Sequence, residues 1–198
     1  TFENKVIPVA FGYADRFKNS IDFNTRLNKS IGVGSVNPLR PLEHPVYNFR
    51  ESADFYPDDS WFHRTRRKFI LNKNTLNNSI DLMFPKFPQI KDFRYDLVAK
   101  FNEYKMFTSC ESIFYFPPAK TYEGSACGGV NICIDHECNK EFGFKDGINC
   151  IMYEEGNIDS YIQKVEYYQN NEDKLNEISK NAQKFVFDNF RHKIVAQN

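Results

Sequence analysis

The chain has 198 residues, enough for one domain or one large half of a two-domain enzyme. Hydrophobic residues make up 41%, with 20 Phe and 11 Tyr, which excludes disorder as the general state and allows a sizeable core. The 26 basic and 26 acidic residues cancel, so no overall field favours nucleic acid or an anionic membrane, although a local basic pocket for a small anion stays open.

In chain order, residues 5–11, "KVIPVAF", read as a short strand or a connector, and the Asn-rich, charged stretch 15–29 reads as loop. "SIGVGSV", 30–36, is β-branched and glycine-rich, a buried strand leading into a turn at Asn37-Pro38. Pro45 and Pro57 break residues 43–60. Over 61–84, Trp61, Thr65, Phe69, Leu76 and Ile80 recur at near-helical spacing, closed by Pro85 and Pro88. Residues 95–104 predict a helix with Leu97, Val98 and Phe101 on one face, and 105–110 a short strand. Pro117 and Pro118 suit a helix start, and that helix runs to Cys127 and stops at Gly128-Gly129. Strands follow at 130–134 and 149–153, the second after a turn at Asp146-Gly147. Two helices end the chain, one lined by Tyr161, Ile162, Val165 and Tyr168, the other by Leu175, Ile178, Ala182, Phe185 and Val186.

Strands alternating with helices predict an α/β fold, a Rossmann-like parallel sheet with helices on both faces. Residues 1–29 form a connector or the start of the domain, and 30–198 the domain itself. Ligands of such sheets sit outside the carboxyl ends of the strands, which directs attention to the loops 36–42 and 110–120.

The five cysteines all lie between Cys110 and Cys150 without a Cys-x-x-Cys pair, a poor disulfide framework and a poor zinc site. Cys133 and Cys138, near His136, are the one arrangement to weigh as a metal site. Reduced cysteines in buried strands of a cytoplasmic protein are the preferred reading, so no metal and no cofactor is expected. Asn28-Lys29-Ser30 and Asn77-Asn78-Ser79 fit the glycosylation pattern, which is short enough to arise by chance. No apolar run approaches the roughly 20 residues of a membrane span, and no signal peptide is visible. The start at Thr1 rather than Met suggests that an upstream part was removed.

The strongest chemistry lies in "AKTYEGSACGG", 119–129. The free amides and partial positive charge at the start of its helix make an anion site. Lys120 in the first turn adds a full charge, and Glu123 falls on the same face one turn later. A carboxylate there can accept two hydrogen bonds from a ribose diol, so the pair would grip a nucleoside diphosphate. The small residues Gly124, Ser125 and Ala126 let the helix pack close to the sheet. The competing reading is an ordinary exposed Lys–Glu pair contributing a few tenths of a kcal/mol.

Arg40, in "GSVNPLRP", follows a strand and a turn and can bring a guanidinium to a phosphate; its alternative is a solvated loop arginine. "GVGSVN" is similar to a dinucleotide fingerprint, but Asn37 occupies the third glycine position and Pro38 interrupts the helix start. The basic run "HRTRRK", 63–68, reads as a solvated helix face, and His44 and His63 as structural. There is no Ser-His-Asp order, nucleophile elbow, P-loop or metal signature, and no catalytic residue is singled out.

Taken in order, "SIGVGSVNPLRP", "FNEYKMFTSCESIFYFPPAKTYEGSACGGVNICI" and the stretch from "EFGFKDGINCIMY" to "NAQKFV" resemble the C-terminal half of GT-B glycosyltransferases. The likeness is nearest to the family-1-like group that includes spore-maturation glycosyl transferase-like proteins. It rests on Pro38-Leu39-Arg40, Lys120 with Glu123, Ala126-Cys127-Gly128 and the loop from Gly143 to Asn149, and covers roughly 30–190. The resemblance implies a donor-binding domain for a nucleotide sugar, with Glu123 on the ribose and Lys120 and Arg40 near the diphosphate. Ser35 and Tyr115 complete the expected binding set, and no metal is implied, because such enzymes neutralise the leaving diphosphate with basic side chains and helix amides. It also implies an acceptor-binding half outside this chain and an acceptor that the sequence does not identify. Many retaining members carry a Glu-x7-Glu pair, but the position eight before Glu123 is Tyr115, and a Gly-rich loop before the helix is missing too. That departure keeps a second function in view, a degenerate transferase domain serving as a binding or assembly module.

Overall fold

The computed structural model describes residues 10–34, 64–83, 96–110 and 115–197. Five parallel strands form one sheet in the order β2-β1-β3-β4-β5, with β1 Leu27–Val33, β2 Ile80–Met83, β3 Tyr104–Thr108, β4 Val130–Ile134 and β5 Ile151–Tyr153. Between them lie α1 Arg64–Leu71, α2 Leu97–Glu103, α3 Ala119–Ala126 and α4 Glu137–Glu141, and α5 Ile158–Gln169, α6 Glu172–Asn189 and α7 His192–Val195 close the chain. This is the expected α/β Rossmann-like architecture.

Alternation along the strands divides the interior into two clusters. Ile31, Val33, Phe107 and Met152 face one side with Phe101 of α2 and Tyr122 of α3. Met106, Val130, Ile132 and Ile151 face the other with Phe69 of α1 and Tyr161 and Val165 of α5. The long helix α6 serves both: Leu175 and Ile178 in its first half enter the second cluster, and Val186 near its end enters the first. A half-buried ion pair, Lys105 Nζ to Glu172 Oε2 at 2.6 Å, ties the start of α6 to β3.

Several elements differ from the sequence expectation. The periodic run 61–84 is not one helix: α1 ends at Leu71, turns follow, and β2 starts at Ile80. Asn72 turns its side-chain amide back to the Lys68 carbonyl at 2.8 Å, a local bond that competes with helix continuation. Phe69, Leu76 and Ile80 are still buried, so the apolar spacing marked the core correctly and the element wrongly. β1 begins inside the stretch read as loop. β5 is shorter than 149–153, because the Asn149 side chain closes the preceding turn by accepting from Lys145 N–H at 2.7 Å and donating to Gly143 O at 3.0 Å. The short α4 was not anticipated; His136 Nδ1 caps it by accepting from Cys138 N–H at 3.1 Å. No disulfide joins the five cysteines, four of which are buried. The Asn28 amide donates to Gln169 O at 3.0 Å and Glu172 Oε1 at 2.6 Å, so the nitrogen of the first glycosylation pattern is engaged within the fold.

Candidate functional site

From β1 the chain crosses through α1, on the second-cluster face, to β2; from β3 it crosses through α3, on the opposite face, to β4. The connections therefore part between β1 and β3, the point at which an open α/β sheet leaves a crevice beyond its strand ends. Gly34 follows β1 there, and Ser109 and Cys110 follow β3.

Helix α3 opens at this crevice. Pro118 is its N-cap in extended conformation and makes no side-chain cap bond; Thr121 N–H donates to Pro118 O at 2.9 Å, and among the described residues the amides of Ala119 and Lys120 before it are left for another acceptor. Gly124 explains the thinning of side chains behind Glu123: a Cβ there would lie 2.5 Å from Phe107 Cζ, in the middle of the sheet. Thr121 anchors the same face, its hydroxyl 2.8 Å from Ser109 Oγ. The helix start is thus held against the strand ends by contacts that only small side chains permit.

Lys120 and Glu123 project from the half-buried face of α3. They are not the exposed ion pair of the competing reading, because among the described residues neither makes a side-chain hydrogen bond or an ion pair. Burial pushes the Lys120 ammonium below its ordinary range, the Arg66 charge pushes it further, and the Glu123 carboxylate opposes both. Burial raises the Glu123 carboxyl above its ordinary range, against the lowering charges of Lys120 and Arg16. A desolvated cation and a desolvated carboxylate sit side by side, each with capacity left for a ligand.

Arg66 is the residue that the sequence reading missed. The run containing it was expected to be a solvated face, yet Arg66 is 6% exposed. Its guanidinium lies against Gly34, where φ is +137° and a Cβ would stand 2.5 Å from Arg66 Cζ, and it donates to Ser109 O at 3.3 Å. The signal was its position three residues before the buried Phe69, on the same stripe of α1. Two cations from different elements therefore converge on the crevice.

Tyr115, just ahead of α3, has φ of +63° and stacks on His136 with ring centroids 4.4 Å apart and planes at 7°. Its hydroxyl donates to Glu155 Oε1 at 3.0 Å, so the side chain is engaged at the ends of β4 and β5. Ser35 and Arg40 lie outside the described residues. Among the described residues no group of three or more His, Cys, Asp and Glu side chains is arranged to hold a metal ion, and no helix is long and apolar enough to cross a membrane. The arrangement can bind a compact multivalent anion at the cations and the helix amides, and a vicinal hydroxyl pair at the carboxylate.

The profile of a family described as glycosyl transferase-like matches residues 89–198, more than half of the chain. No curated protein matches it. Among solved structures, HepE from Anabaena in complex with UDP-glucose superposes with a TM-score of 0.61 at 15% identity, over 96% of this chain and 54% of that one. Sucrose-phosphate synthase from Thermosynechococcus elongatus gives 0.59 at 12% identity, over 96% and 49%. The C-terminal domain of a group 1 family glycosyl transferase, LpcC, from Francisella tularensis gives 0.55 at 10% identity, over 89% of this chain and 96% of that domain. The chain spans about half the length of the first two and nearly the whole of the isolated domain.

Proposed function

The chain belongs to the glycosyl transferase-like family, and on that premise we propose that it is the donor-binding half of a sugar transferase, taking a nucleoside diphosphate sugar in the crevice between β1 and β3. Its fold is that of one half of a GT-B glycosyltransferase. The diphosphate lies across the start of α3 against Lys120 and Arg66, and Arg40, outside the described residues, is a further phosphate contact in this reading. Glu123 accepts hydrogen bonds from the ribose hydroxyls. Ser35, also outside the described residues, belongs to the binding set in this reading, and Tyr115 walls the pocket towards β4.

The observation that carries this reading is the state of Lys120. It is desolvated, repelled by Arg66 and without an ion pair among the described residues. A half-buried cation in that position carries a desolvation cost that a bound anion offsets. A diphosphate satisfies it, and the same charges then stabilise the leaving group as the glycosidic bond breaks. UDP is the first nucleotide to try, because HepE was solved with UDP-glucose. The acceptor is held by a second half outside this chain.

Calorimetric titration with a panel of nucleoside diphosphates tests the proposal. One of them binds the wild-type chain, and Lys120→Met and Glu123→Ala each weaken binding at least tenfold, the scale of a lost charge-assisted contact. Absence of binding by every member, or binding unchanged in Glu123→Ala, overturns it.

A further inference from the structure

We infer that the short helix α4 positions the nucleotide site: His136 at one end of it and Phe142 at the other seat the consecutive rings of Tyr115 and Phe116, and the stiff Pro117-Pro118 pair carries that placement to the first turn of α3. This rests on the donor-binding reading above and adds to it two positioning residues, His136 and Phe142, from a different part of the chain.

Helix α4 is itself fixed to the sheet. The buried Asn139 in its middle donates to the carbonyl of Ile134, the last residue of β4, at 2.9 Å. The Asn139 carbonyl accepts from Phe144 N–H at 3.1 Å, which folds the chain back beyond the helix. His136 caps α4 through Nδ1, and that bond to Cys138 N–H holds its ring in place. Phe142 is the C-cap, its N–H donating to Cys138 O at 3.3 Å, and its side chain packs against the first cluster. The rings at the two ends of α4 therefore have set places.

The chain that leads into α3 lies across both rings. Tyr115 stacks on His136, and its neighbour Phe116 meets Phe142 edge-on, with centroids 5.9 Å apart and planes at 67°. The Tyr115 hydroxyl adds its bond to Glu155. Tyr115 has φ of +63°, a conformation that a non-glycine residue keeps only where its surroundings hold it. The stack, the edge contact beside it and the Glu155 bond are those surroundings. Two prolines come next. Each fixes its own φ and confines the residue before it to extended backbone, so Phe116, Pro117 and Pro118 have little freedom. Pro117 is buried, and Pro118 is the N-cap of α3. A shift of Tyr115 is thus passed on to the N-cap instead of being absorbed on the way. The amides of Ala119 and Lys120, which face the diphosphate in this reading, follow at once.

The test is UDP affinity, with urea denaturation alongside, for wild type and a set of variants that separate the ring of His136 from its cap. His136→Asn keeps a capping acceptor and removes the ring; His136→Phe keeps a ring and removes the acceptor. His136→Asn weakens UDP binding roughly two- to tenfold, the scale of one aromatic pair, and His136→Phe regains most of that affinity although it loses the cap. Phe116→Ala weakens binding on the same scale through the other contact. In a Tyr115→Ala background, His136→Asn has no further effect. Val186→Ala, which trims the core at α6, lowers stability and leaves UDP affinity unmoved. Unchanged affinity in either His136→Asn or Phe116→Ala, a loss that His136→Phe does not regain, or the same loss with and without Tyr115 overturns the inference while leaving the donor site intact. If wild type binds no nucleoside diphosphate at all, the underlying reading fails instead.

Discussion

Gly124→Ala should destabilise the domain, against the rule for an exposed helix. Alanine in a helix interior is worth about 1 kcal/mol over glycine. Here the new Cβ would sit 2.5 Å from Phe107 Cζ and 2.6 Å from Cε1, so the ring or the helix must move by about 1 Å to reach an ordinary carbon–carbon contact. Phe107 is 1% exposed and packs against Phe101 with centroids 5.1 Å apart, which leaves the ring little room. Overpacking of this kind costs about 1–3 kcal/mol, so the net change is a loss of about 0–2 kcal/mol after the helix gain. Pairing the substitution with Phe107→Leu removes the obstruction, and a double-mutant cycle should give a favourable coupling of about 1–3 kcal/mol. Urea denaturation of the four proteins measures it. Because the helix start moves with the clash, nucleotide affinity should fall in Gly124→Ala and recover in the double variant. A Gly124→Ala protein more stable than wild type by the full helix gain, with no coupling to Phe107, would refute the argument that close packing of α3 positions the site.

Glu123→Gln should raise stability at neutral pH while weakening nucleotide binding, because burial raises the folded-state carboxyl above its unfolded value and its ionised form therefore costs folding. The difference between the two proteins should shrink as pH falls and both side chains become neutral; thermal melts across pH check this, and a Glu123→Gln protein less stable at neutral pH contradicts it. UDP binding at alkaline pH should draw in a proton, since Lys120 is held below its ordinary range and an adjacent anion reverses that; calorimetry in buffers of different ionisation enthalpy reads the uptake, which Lys120→Met should abolish. Tyr122→Phe should be neutral or stabilising by up to about 1–3 kcal/mol, because the Tyr122 hydroxyl is fully buried without a hydrogen-bond partner among Phe144 and Phe190. A clear loss of stability in that variant would mean that the hydroxyl is satisfied in solution.

What the sequence revealed depended on how local the determining physics was. The start of α3, the role of its small residues and the grouping of Lys120 with Glu123 follow from helix geometry over a few positions, and they were legible. The closing helices were legible for the same reason: Tyr161, Val165 and Tyr168, then Leu175, Ile178, Ala182 and Val186, keep a steady helical spacing and are all buried. β2 was hidden because Phe69, Leu76 and Ile80 continue one apolar period across an element boundary made by asparagine turns. Arg66 was hidden because its burial depends on Gly34, which lies 32 positions earlier in the chain and meets it only through the sheet.

The most direct test of the account is a crystal structure of the chain with UDP or a UDP-sugar bound. The account predicts the diphosphate at the start of α3 within hydrogen-bond reach of Lys120 Nζ and the first helix amides, with both ribose hydroxyls donating to the Glu123 carboxylate. A nucleotide seated elsewhere on the molecule, or one in the crevice with its ribose turned away from Glu123, would contradict it.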